Sequence, residues 1–135
     1  MIRSCPSRAF LAALALLLSP LSARGGDATP VLVGGESDLD ACLSLGQVVG
    51  LDPAGDNFLA VRAGPGSKNA ELDRLGPKRL VTVCDERGRW LGVVYAPEGS
   101  DTDCGTGSPQ AERTAYRGPC RSGWVHASHV EIVAG

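Results

Sequence analysis

The side chains with the most chemistry to offer are a few cysteines, histidines and carboxylates. Cys84 together with His126 or His129 has the composition of a nucleophile and its base. His126 and His129 also invite a metal, and Asp85 next to Glu86 invites acid–base hydrolysis of a sugar. Local context weakens each reading. Adjacent carboxylates at a turn point apart, so Asp85 and Glu86 do not flank one bond. The two histidines fall across a strand end and a turn, with no Cys-x-x-Cys beside them. Cys84 has a better use in a disulfide. The expectation is a protein that is not an enzyme, with no cofactor and no metal.

That disulfide reading follows from the start of the chain. Arg3 and Arg8 precede the apolar run Ala9–Leu18, and small residues follow through Ala23, the layout of a secretory leader over residues 1–23. The run is about half the roughly 20 residues needed to span a bilayer, so the protein is not expected to be membrane-embedded. Secretion or delivery to the periplasm is expected. Cys5 leaves with the leader. Cys42, Cys84, Cys104 and Cys120 remain, an even number in an exported chain. Three pairings are open. Cys104 and Cys120 can staple the long segment that contains them, which favours Cys104–Cys120 and leaves Cys42–Cys84.

Charge excludes one class of partner. Without Arg3, Arg8 and Arg24, ten basic side chains face fifteen acidic ones, a net charge of −5. From Asp27 to Asp56 there are six acids and no Lys or Arg. A nucleic-acid binder needs a basic field, and none is evident.

The elements that must position any site are short. Residues 24–41 are Gly-rich and acidic with no sustained period, and read as a flexible arm. A single domain over residues 42–135 follows. Its apolar runs recur every eight to twelve positions between turn residues, the all-β pattern. Strands are expected at Gln47–Leu51, Phe58–Arg62, Arg79–Asp85, Arg89–Tyr95, Ser122–His126 and His129–Val133, with a helical turn at Ala70–Leu75. Gly64-Pro65-Gly66-Ser67 is a structural turn of type II composition, with Gly66 expected at positive φ. Ala96–Arg121 is a long Gly- and Pro-rich excursion, unusual in a compact domain unless functional or stapled.

Three motifs in order bear a resemblance. Val61-Arg62 followed by Gly64-Pro65-Gly66, then Gly88 with Trp90, then Gly123-Trp124-Val125 resemble the bacterial SH3 (SH3b) domain over about Gly46 to Val133. Ala60, Ala63 and the Cys-bounded excursion depart from that family's pattern. The resemblance implies an all-β, small SH3-like barrel of about five to six strands, with the disulfides and the inserted loop added to it. It also implies a non-catalytic binding module recognising cell-wall peptidoglycan or its peptides. The implied groove lies between the turn after Arg62 and the hairpin starting at Trp90. Arg62, Trp90, Tyr95, Tyr116 and Trp124 are the candidate ligand-binding residues, offering aromatic faces and one guanidinium. The competing expectation is a module that binds or inhibits another envelope protein through residues 96–121. A monomer is expected.

Overall fold

A computed structural model describes residues 28–135. The leader expected over residues 1–23 lies outside them. The described chain is all-β apart from one 3-10 turn at Ala127–His129. Its strands are β1 (Leu32–Val33), β2 (Glu36–Asp40), β3 (Ser44–Val48), β4 (Leu59–Arg62), β5 (Glu71–Leu75) and β6 (Leu80–Arg87). They continue with β7 (Trp90–Tyr95), β8 (Pro109–Gln110), β9 (Thr114–Ala115), β10 (Arg121–His126) and β11 (Val130–Ala134).

Seven strands form one antiparallel sheet in the order β11-β3-β6-β7-β10-β4-β5. Alternation along these strands sends Val48, Val61, Leu75, Val81, Val93 and Val125 to one face, where all are buried together. β3 lies near one end of the sheet and β5 at the other, so sharing this core means that the sheet curls around it. No ladder joins β5 to β11, so the sheet is curled and not a closed barrel. The turn Gly76–Arg79 carries the chain from the β5 edge round to β6, beside β3. There the Lys78 N–H donates to Val48 O at 2.9 Å and Val48 N–H donates to Arg79 O at 2.9 Å. Lys78 takes φ +67°, the left-handed conformation that glycine usually supplies. Between β6 and β7 Gly88, at φ +59°, opens a two-residue hairpin loop of type II′ form. Within Ala70–Leu75, residues Glu71–Leu75 form a strand and not a helical turn: pairing with β4 outweighs the local preference.

The other face of the sheet carries a second core, and here the sequence reading is corrected. Residues 28–41 are not a flexible arm. β1 pairs with β9 and β2 with β8, so the N-terminal segment zips to the excursion that follows β7. Val31 and Val33 turn inward onto Trp124 and Val94, with Ala41 and Cys42 beside them. No period is legible because each strand is short and its partner lies far away in sequence, Leu32 opposite Ala115 and Asp40 opposite Pro109. The disulfides Cys42–Cys84 and Cys104–Cys120, paired as expected, tie this layer to β6 and close the excursion on itself.

One carboxylate joins the two layers. A register shift in β6 between Val83 and Asp85 places Asp85 opposite Gly92, where its side chain is 6% exposed. Its Oδ2 accepts the Leu32 N–H at 3.1 Å, and its Oδ1 accepts Arg113 Nη2 at 2.9 Å and the Glu86 N–H at 2.9 Å. Gly92 permits this approach: a Cβ there would stand 2.7 Å from Asp85 Cβ and 3.0 Å from Val31. Truncating one partner of a buried, hydrogen-bonded pair leaves donors unsatisfied. Asp85→Ala is therefore expected to lower unfolding free energy by about 2–3 kcal/mol in urea titrations. A loss below about 0.5 kcal/mol would show that the layers hold without it.

Candidate functional site

The outer face of the sheet is only half covered. Register pairs Trp124 with Arg62 and His126 with Trp90, so all four side chains stand on this face. The N-terminal segment and the excursion cover Trp124, and Trp90, partly buried, packs against the edge of that cluster. Beyond them lies an open groove of about 780 Å³, with Arg62, Trp90, His126 and His129 in its walls. Arg62 and Trp90, expected to share a groove, do share it.

Arg62 ends β4, and its Nη1 donates to Asn69 O at 3.0 Å, tying down the turn that follows. That turn is not the type II form expected. Gly66 does not take positive φ; its N–H donates to Gly64 O, and its carbonyl accepts from the Asn69 N–H and Nδ2. A Cβ at Gly64 would lie 2.9 Å from the Asn69 side chain and would displace the amide that bonds Gly66 O. Gly64, Pro65 and Gly66 do not line the groove. At the opposite wall the Trp90 and His126 rings meet edge to face, 5.4 Å between centroids. His126 Nδ1 accepts the Ser128 N–H at 3.2 Å and lies 2.6 Å from Ser128 Oγ, capping the 3-10 turn. This imidazole–hydroxyl contact between near neighbours in sequence is a cap. His129 Nδ1 donates to Val49 O at 3.3 Å.

The remaining lining is charged on both signs. Asp52 and Asp56 come from the loop before β4. Arg74 lies 4.1 Å above the Phe58 ring and donates to Glu71 Oε1 at 2.5 Å. The bond to Glu71, with Asp56 behind it, raises the Arg74 guanidinium pKa. Such a groove offers an indole face for stacking, a guanidinium for a carboxylate and carboxylates for an amine. Among the described residues no group of three or more His, Cys, Asp or Glu is placed to hold a metal ion.

Three of the expected ligand-binding residues are structural instead. Trp124 is fully buried, and its Nε1 donates to Thr29 O at 2.8 Å. Tyr95 is 3% exposed in the inner core, with its hydroxyl on Asp73 Oδ2 at 2.9 Å. The Tyr116 hydroxyl donates to Cys104 O and accepts the Cys120 N–H, bracing the second disulfide. Phe58, Arg74 and the acids of the loop before β4 were not singled out as groove residues, because nothing in local sequence ties them to Trp90. His126 had one legible signal: it stands two residues after Trp124 in the same strand, on the same face.

Asp73 gives the fold a pH dependence. Burial disfavours its ionisation, but the Arg74 N–H, the Tyr95 hydroxyl and Arg121 outweigh that and hold the carboxyl below the usual range. Burial, then the bond to Asp73, pushes the Tyr95 phenol up. Because Asp73 has a lower pKa folded than unfolded, its contribution is complete above about pH 4 and disappears as pH falls through the folded value. Asp73→Asn should flatten the acid limb of stability between about pH 4 and pH 2, read by thermal melts. An unchanged limb would remove Asp73 from that role. The two tryptophans should separate cleanly. Trp124→Ala is expected to cost about 3–5 kcal/mol, as for a buried indole, and Trp90→Ala about 1 kcal/mol. Similar losses from both would place Trp90 in the core.

No family model, no curated protein and no solved structure matches the chain.

Proposed function

We propose that this protein is a non-catalytic binding module of the SH3b type. On this reading it recognises cell-wall peptidoglycan or its peptides in the groove between the turn after Arg62 and the Trp90 hairpin. The observation that carries the proposal is the meeting of Arg62 and Trp90 in one open groove, although 28 positions separate them in sequence. The order of motifs, Val61-Arg62 with Gly64–Gly66, then Gly88 with Trp90, then Gly123–Val125, supports the SH3b reading on a curled antiparallel sheet. The mixed charge of the groove suits a peptide that carries both amine and carboxylate. Its indole suits a sugar ring or a peptide backbone.

Two disulfides fit an oxidising compartment, and so a secreted or periplasmic protein. Among the described residues no helix is long and apolar enough to cross a membrane. The competing role, docking an envelope protein through residues 96–121, has less support. Arg113, Tyr116 and Arg121 of that segment are engaged within the domain, on Asp85, on the second disulfide's backbone and on Asp73.

Co-sedimentation of the oxidised protein with purified sacculi tests the proposal. Saturable binding is expected, weakened at least about tenfold by Arg62→Ala and by Trp90→Ala, with near-ultraviolet circular dichroism retained. A folded protein that leaves the sacculi unbound would overturn the wall reading and favour a protein partner.

A further inference from the structure

Among the described residues the curled sheet has two unpaired edges, β5 and β11, and they differ in kind. The β5 edge reads Glu-Leu-Asp-Arg-Leu: Glu71 pairs with Arg74, and Asp73 is held by Tyr95 and Arg121. Charged edges of this sort resist further strand pairing. The β11 edge reads Val-Glu-Ile-Val-Ala, with one charge. Large apolar side chains gather around it. Of the six that are exposed among the described residues, Ile132 and Val133 lie on β11, Leu43 directly precedes its neighbour β3, and Leu80 opens β6 next to β3. Their exposures run from 47% to 57%, so this end of the sheet carries four of the six large apolar side chains exposed among the described residues.

The backbone of β11 shows which groups await a partner. His129 O accepts the Val49 N–H, and Val130 pairs with Val48 in the antiparallel ladder. Inward and outward groups alternate along such a ladder. The N–H and C=O of Glu131 therefore face β3; the Val130 N–H is taken by Ala127 O of the 3-10 turn, which leaves the Val130 carbonyl and both backbone groups of Ile132 facing outward.

We propose that β11 pairs antiparallel with β11 of a second copy of this chain, across a two-fold axis at Ile132. Self-complementarity selects this occupant. An axis at Ile132 lets the two Ile132 residues exchange both backbone bonds. It sets Glu131 opposite Val133 of the other copy and Val130 opposite Ala134, so no two carboxylates face each other. An axis one residue earlier would oppose the two Glu131 side chains, which is unfavourable. The register shift after Ile132 confines the shared ladder to a short stretch, so the dimer is a reversible one. The candidate groove, on the outer face of β4, β7 and β10, stays open in this arrangement.

Sedimentation equilibrium of the oxidised protein across micromolar to sub-millimolar concentration, with hydrogen exchange, tests it. The expected weight-average mass rises toward twice the monomer value. The Ile132 amide should exchange more slowly as concentration rises. Ile132→Pro removes an outward N–H without breaking a bond to β3 and should weaken association about tenfold or more. Ile132→Lys, which keeps the backbone donor but charges the edge, should do the same, and Arg62→Ala should associate as the native chain does. A monomer mass throughout would overturn the proposal. So would a dimer indifferent to both Ile132 variants, and so would concentration-independent exchange at Ile132, which would leave the edge to a strand from another protein.

Discussion

The structure depends on satisfying the buried Asp85 side chain between two layers. A carboxylate taken out of water is costly unless every strong partner is supplied, and here the partners come from three separate parts of the chain. Leu32 brings the N-terminal segment, Arg113 brings the excursion, and Glu86 belongs to the displaced stretch of β6 itself. The same contacts hold Val31 and Val33 over Trp124. Neither segment has enough apolar area to fold alone, and together they form the lid of a second core.

That lid defines the groove by where it ends. On the outer face, β7 and β10 present Val94 and Trp124 toward one end and Trp90 and His126 toward the other. The first pair is covered and the second is open to the groove. The disulfides act on the same layer: Cys42–Cys84 anchors the segment before β3 to β6, and Cys104–Cys120 restrains the excursion. Limiting the unfolded ensemble in this way matters for a domain whose two cores are each small. The inner core needs no such help, since its residues come from neighbouring strands of one curled sheet.

The sheet's edges follow a similar division. β5 is guarded by charge, and Asp73 is engaged from both sides, by the inner core through Tyr95 and by β10 through Arg121. β11 has only Glu131. Binding at the groove and pairing at the β11 edge would use different surfaces of one sheet, so a two-fold assembly would present two grooves.

What the sequence determined by itself was local or combinatorial. The β class was legible from short apolar runs and turn residues, and the hairpin at Gly88 from its glycine. The disulfide pairing was legible because a cysteine-bounded excursion has one economical staple. That Arg62 and Trp90 share a groove was implied by the SH3b resemblance of their motifs, not by the residues alone. Only the tertiary structure decided that residues 28–41 are part of the fold, since two- and five-residue strands have no readable period and their partners are distant in sequence. It also decided which aromatics are free. Trp124, Tyr95 and Tyr116 have the composition of a binding surface, and burial against Thr29, Asp73 and the Cys104–Cys120 backbone spends their polar groups inside the protein. Whether an indole faces ligand or core depends on what covers its face of the sheet, and here the cover is a segment whose own sequence carries no sign of it.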